Sequence, residues 1–571
     1  MMYTDEKIVK KPRKYYSEDL KFTEWNTVKE ELEKLEKYEI NSKKDLIEFM
    51  KRKSEFEAAL SEEMAWKYIR MTCNADKPEF SKDFNEFYSK VISPTEAYDF
   101  KLKKKFYESP FRKELGSEYD LLNKIISKDI EIFREENIPL KVKEQELSSK
   151  YGEIISKLTV EFKGEEKTLS QMGVYQKDPD RKIREEAWKL VGAKVLEVKD
   201  ELNDLFDQLK EIRIEIAKNA GFDNYRDYMH FAKGRFDYTP EDLFEFHKSV
   251  EKVVVPYLKE LNKERKEKLG VKTLRPWDLS VDLDGKVLSP FKTEEELVNK
   301  AIEVLHRVKP DFGIKLEKMK NSGFLDLENR KGKAPGGYNY PLHETGGSFI
   351  FMNAVGLQSD VSTLLHESGH AMHNFACKHF DIGAYKDYPS EVAEVASMSM
   401  ELLTMEHLNV YYSDDNDLKK AKLEQLKGTL KIFPWVMTID AFQQWIYTNP
   451  NHTAEEREEF FASLMDRYNT GDDFSGLEAE KATRWLRQLH VFEVPFYYIE
   501  YAMSQLAALG IYKNYKEKGK EAVKMYEDFM SLGYSKPVPE IYETAGVKFD
   551  FSEKYISELV DFIKKEIEEI K

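Results

Sequence analysis

The chain has 571 residues, 41% hydrophobic, 34% charged and 13% aromatic, too many for one hydrophobic core and enough for roughly two to four domains or subdomains. Its 106 acidic and 90 basic residues leave a net charge of −16, which disfavours nucleic acid and anionic membranes as partners. Two cysteines, Cys73 and Cys377, exclude a disulfide framework and a cysteine-based metal site, as befits a reducing compartment.

The start, residues 1–14, is basic but lacks the apolar core of a signal peptide. No later run approaches about 18 consecutive apolar residues. A soluble cytoplasmic protein without a membrane partner is expected. From residue 17 to about 165 the apolar positions recur at three and four, as in Trp25–Tyr38 and Lys44–Met71, and predict helix packed on helix. This part, 1–165, is expected to be a helical N-terminal lobe, with 166–571 as a second region. Asp180–Ala220 is again helical, its Glu–Lys pairs at spacing four forming solvated faces. No repeat of about 20–50 residues points to a solenoid.

Trp277–Gly285 predicts a short extended piece and a turn. Lys333–Tyr340, which contains Gly336, Gly337 and Tyr338, predicts a mobile loop, and these three residues are candidates for contact with a ligand. Gly346–Asn353 predicts a strand whose edge, at Gly347 and Phe349, aligns an extended peptide. A small β element thus precedes a helix that starts at Ser359 or Asp360 as N-cap. The fold class is mainly α, with a small sheet beside the site.

That helix carries His366-Glu367-Ser368-Gly369-His370. With 11 histidines in the chain, chance alone would give a His-Glu-x-x-His pattern only about 0.03 times. Histidines four apart on a helix share a face and can bind one Zn²⁺, and the intervening glutamate is placed to act as general base. One zinc per chain is expected. A third histidine six residues after His370 is ruled out, since position 376 is alanine. His373 is assigned to packing or to supporting the ligands from behind. A carboxylate must then complete the set. Glu391, Glu394 and Glu401 fall near one face of a following helix whose Ala393, Ala396 and Ser397 permit close approach. Spacing alone leaves Glu391 and Glu394 as alternatives, with the unused carboxylates orienting the histidines.

His366–His373, followed 24 residues after His370 by Glu394-Val395-Ala396-Ser397 and then Glu401, resembles the thimet oligopeptidase / oligoendopeptidase F family of zinc endopeptidases. The likeness extends to the Gly336-Gly337-Tyr338 loop, to His490–Tyr501 and to Leu532–Ser535, and so spans roughly residues 200–560. The first 160 residues match only in being helical. The resemblance implies Glu394 as third ligand and Glu401 as its support. It implies a gluzincin-type zinc helix within 360–405, and a tyrosine-rich segment, 485–510, whose His490, Tyr498 and Tyr501 bind the oxyanion. It also implies an elongated, two-lobed helical fold cut by a deep channel that admits short peptides. Thimet-like members carry a His-x-x-Gly-Gly-Tyr segment. Here Pro495 falls where their tyrosine stands, which makes Tyr497 a substitute or a substrate contact. A zinc-containing peptide binder without turnover, a helical scaffold, and a dipeptidyl or carboxy-terminal exopeptidase are the competing readings.

Overall fold

The structure, a computed structural model, describes residues 5–334 and 336–571; Met1–Thr4 of the basic start and Pro335 of the glycine loop lie outside the described residues. Helix accounts for 69% of the chain and strand for 4%, so the architecture is mainly helical with small sheets. Among the described residues, no helix is long and apolar enough to cross a membrane.

Helices Trp25–Lys37 and Lys43–Cys73 form where the apolar spacing places them, the second capped by Ser42, which accepts the Asp45 N–H. Their apolar faces, with Phe22, Leu102, Phe106, Leu122 and Ile126, make a separate core that Ile382 and Tyr385 join from the distant half of the chain. Helix Asn137–Ser156 instead turns Leu147 and Tyr151 into the larger core, which continues to Ile567. The 180–220 stretch forms two helices, Arg181–Glu197 and Lys199–Asn219, parted at Val198.

Trp277–Gly285 forms no strand. Only a 3-10 turn, Pro276–Asp278, occurs there, because the fully buried Asp278 carboxylate gathers the Arg181 and Arg184 guanidiniums and the Arg275 N–H. A buried acid with three charged or polar donors dictates a compact turn over an extended one.

Strands β1 (Thr159–Phe162) and β2 (Glu165–Thr168) form a hairpin. Strands β3 (Leu325–Glu328), β4 (Tyr338–Leu342) and β5 (Gly347–Ala354) form a second sheet in the order β3-β5-β4, with β5 parallel to β3 and antiparallel to β4. The expected peptide-aligning edge on Gly347–Asn353 is therefore absent, since both sides of β5 are already paired. Its run Phe349-Ile350-Phe351-Met352 is buried throughout, as befits a central strand covered on both faces. The sheet's edges are β3 and β4, and β4 replaces the second half of the expected loop.

Three of the expected substrate contacts are occupied by packing. Tyr338 stacks on Phe351 at 4.8 Å, and its hydroxyl lies 2.6 Å from the Thr72 hydroxyl on the long N-terminal helix. Phe349 is buried against Trp66 at 5.9 Å. Gly347 is buried, and its carbonyl accepts from the Asn374 side chain. Gly336, at φ +94°, and Gly337 stay exposed ahead of β4.

Candidate metal centre

The motif helix runs Gln358–Ala376, with Leu357 at its N-cap. Asp360 lies inside the helix rather than at its boundary. Its carboxylate accepts the Val355, Gly356 and Leu357 N–H groups at 2.8, 2.9 and 2.8 Å, closing the first turn from within. The helix packs on β5 and on helix Ser390–Met405, which in turn packs on helix Ile499–Lys518. A Cβ on Gly369 would meet Ser397 Cα at 2.6 Å and the Ala396 carbonyl oxygen at 2.7 Å, so the glycine sets the spacing of the two helices. Gly369→Ala is expected to destabilise the protein by about 1–3 kcal/mol through overpacking, despite a propensity gain of about 1 kcal/mol. Calorimetry with zinc analysis checks this; an unchanged melting temperature at full metal content would refute the close-packing account.

That spacing brings donor atoms of His366, His370 and Glu394 within 4.8 Å of one another. Glu394 Oε2 lies 3.4 Å from His366 Nε2 and 3.6 Å from His370 Nε2. His366 Nδ1 donates to Glu401 Oε1 at 2.7 Å, and the Gln425 amide holds Glu401 Oε2 at 2.7 Å, so Nε2 of His366 is left to face the cluster. The two imidazole side chains keep 21 and 19% of their surface exposed, an open side for water or substrate. Two imidazoles and one carboxylate are the donor set of a catalytic zinc site.

Electrostatics sharpen the assignment. Burial opposes ionisation of Glu394, but the histidines outweigh it and hold the carboxyl at about 2. Burial depresses His370 to about 4, keeping it a neutral ligand. Burial also raises Glu367 to about 7, aided by the Glu394 and Glu401 charges, in the range of a working general base. The Asn339 side chain of β4 pins the Glu367 carbonyl at 3.1 Å.

Several expected roles differ. Glu391 does not orient a ligand histidine: its side chain turns away to the Tyr238 hydroxyl at 3.4 Å, and burial beside Glu500 raises it to about 7. His373 stacks on Tyr388 at 3.7 Å, and neither ring nitrogen has a hydrogen-bond partner, so it packs and supports no ligand. Tyr497 does not lie free for substrate. Its hydroxyl donates to Glu394 Oε1 at 3.1 Å, while Ser397 donates to Oε2 at 3.0 Å.

His490, Tyr498 and Tyr501 do cluster, with ring centroids 4.8 Å apart for His490–Tyr498, 5.8 Å for His490–Tyr501 and 5.5 Å for the tyrosine pair. Buried Phe496, at φ +62°, forms the corner that aims Tyr497 and Tyr498. Such a conformation costs on the order of 1–3 kcal/mol. It is held by Gln443, which accepts the Phe496 N–H at 2.9 Å, and by Arg235, which donates to its carbonyl at 2.5 Å. Gln425, Gln443, Gln488, Asn339 and Arg235 escape sequence reasoning, because amides and lone arginines carry no spacing signature.

Helices that carry such a donor set and its flanking glutamate define a metallopeptidase. Peptidase family M3 matches residues 174–561, and the peptidase M3 N-terminal domain matches residues 18–133. The chain belongs to peptidase family M3. It is 27% identical over 482 residues to an oligoendopeptidase F homolog of Borreliella burgdorferi, covering 80% of this chain and 78% of that one. An oligoendopeptidase F homolog of Lactococcus lactis is 26% identical over 346 residues, 58% of this chain and 56% of its own. A solved structure of PZ peptidase A with an inhibitor superposes with a TM-score of 0.89 at 26% identity, covering 95% of this chain and 97% of that one.

Proposed function

We propose that the protein is a cytoplasmic zinc endopeptidase of short, unstructured oligopeptides, with one zinc held by His366, His370 and Glu394. The observation that carries this reading is the convergence of three ligand atoms within 4.8 Å, with Glu367 beside them. Bound zinc supplies a Lewis acid and lowers the pKa of its water towards about 7. Glu367 accepts the proton of the attacking water and returns it to the departing amine. His490, Tyr498 and Tyr501 donate to the oxygen that gains charge in the transition state. Tyr497 and Ser397 fix Glu394, and Glu401 fixes His366. The outer edge of β4, beside Asn339, aligns the peptide backbone, with Gly336 and Gly337 leaving room at its start.

A cavity of about 800 Å³ supports the substrate class. Ser54, Leu102 and Leu122 of the N-terminal lobe, 1–165, line one side, and His343, Asp387 and Tyr534 line the other. Lys233 in its wall sits 5.1 Å over the Tyr497 ring, whose hydroxyl donates to Glu394, a link that supports a passage from the cavity towards the proposed metal centre. The N-terminal lobe forms one wall of the channel. A cavity of this size receives a few residues of extended chain.

Internally quenched peptides should be cleaved by the zinc protein, and a chelator should abolish cleavage reversibly, with mass spectrometry locating internal bonds. Tight peptide binding without products would indicate a binder; release of terminal dipeptides or single residues would indicate an exopeptidase.

A further inference from the structure

We propose that Trp435 and Gln488 act as positioning residues that fix His490 as the neutral tautomer with its proton on Nε2. The inference rests on the peptidase reading for its purpose, and on hydrogen-bond chemistry for its content. Trp435, on helix Asp415–Thr448, donates its indole N–H to Gln488 Oε1 at 2.8 Å. The Gln488 amide nitrogen lies 2.7 Å from His490 Nδ1. An indole N–H can only donate, so the amide must turn its oxygen to Trp435 and its NH₂ to the imidazole. The opposite amide orientation would set N–H against N–H. His490 Nδ1 must then accept, and the ring's single proton sits on Nε2.

The consequence is a donor that needs no positive charge. Burial holds His490 down at about 4, against the pull of the Glu394 carboxylate, so the ring is neutral at working pH. A neutral imidazole left to choose its own tautomer would offer a donor only part of the time. The groups around the ring are Tyr498, Tyr501 and Tyr497, at centroid distances of 4.8, 5.8 and 6.0 Å, with Glu394 as the charged neighbour. The indole thus orients one of the three proposed oxyanion donors through Gln488, from a helix that contributes no ligand.

The decisive variant is Gln488→Glu. One carboxylate oxygen still accepts from Trp435, but the other can only accept from His490, which moves the neutral ring's proton to Nδ1. The same carboxylate raises the pKa of His490, so Nε2–H survives only in the imidazolium. The variant therefore retains activity below the raised pKa and loses it as pH rises through that value, whereas the parent protein shows no such loss there. At alkaline pH, kcat should fall about 100- to 1,000-fold with KM little changed, the effect of losing one preorganised donor.

Nitrogen-15 shifts of His490, assigned with His490→Gln, give a readout independent of turnover. The parent should show an unprotonated Nδ1 and a protonated Nε2 at neutral pH, and Gln488→Glu at alkaline pH should show the reverse. Trp435→Phe, which frees the amide to rotate, should give a mixture of tautomers. A protonated Nδ1 in the parent, or a folded Gln488→Glu variant whose pH profile parallels the parent, would overturn the inference while leaving the peptidase reading intact. A parent that cleaves no peptide yet shows the Nε2–H tautomer would remove that reading and spare the relay.

Discussion

Glu367→Gln is expected to keep one zinc per chain and to lose about 10²- to 10⁴-fold in kcat/KM, the range set by a positioned general base. The glutamine matches the glutamate in size, and position 367 is 7% exposed, so the substitution leaves the helix and its neighbours in place. It removes only the capacity to accept a proton, since an amide oxygen is too weak a base. Burial keeps the parent carboxyl near 7, where it accepts a proton and releases it again without a large barrier either way. Zinc analysis and initial rates on one quenched peptide suffice. Full zinc with more than a tenth of the parent rate would take Glu367 out of the chemistry.

Removing a ligand acts on a different quantity. Glu394→Ala should weaken zinc binding by more than the roughly 10- to 100-fold typical of losing a supporting partner, and peptide cleavage should vanish with the metal. It leaves His366 and His370 without the carboxylate that lies 3.4 and 3.6 Å from them. Glu401→Ala should show the milder loss, because His366 keeps its metal-facing nitrogen but not its anchor. Glu391→Gln should bind zinc as the parent does. Equilibrium dialysis of the three variants ranks them, and equal zinc affinity for Glu394→Ala and the parent would demolish the proposed ligand set.

Sequence reasoning reached the motif helix, the helix that follows it and the close contact between them, because each rests on a local rule. Two histidines at spacing four define a face, and the small Ala393, Ala396 and Ser397 signal a helix that can approach closely, an approach the structure completes at Gly369. It could not separate Glu391 from Glu394, since both fall on one face and only the neighbours, Tyr238 and Glu500 against Tyr497 and Ser397, send them to opposite tasks. It took β5 for an edge because a continuous apolar run cannot say which strands flank it. Tyr338 in β4 looked like loop because the glycines before it dominate the local composition. Trp435, which fixes Gln488 beside His490, and Gln443, which clamps Phe496, each lie 53 positions from the residue they hold and are visible only once the helices are assembled.

The edge strand β4 is short. Strand β4 spans only Tyr338–Leu342, and Pro341 contributes no N–H to either neighbour. A long, flat, unpaired strand would recruit another copy's strand and seed aggregates. Five residues with one donor missing offer too little ladder for a stable intermolecular sheet. For a peptide aligned there as proposed, the same shortness is expected to let cleaved fragments leave.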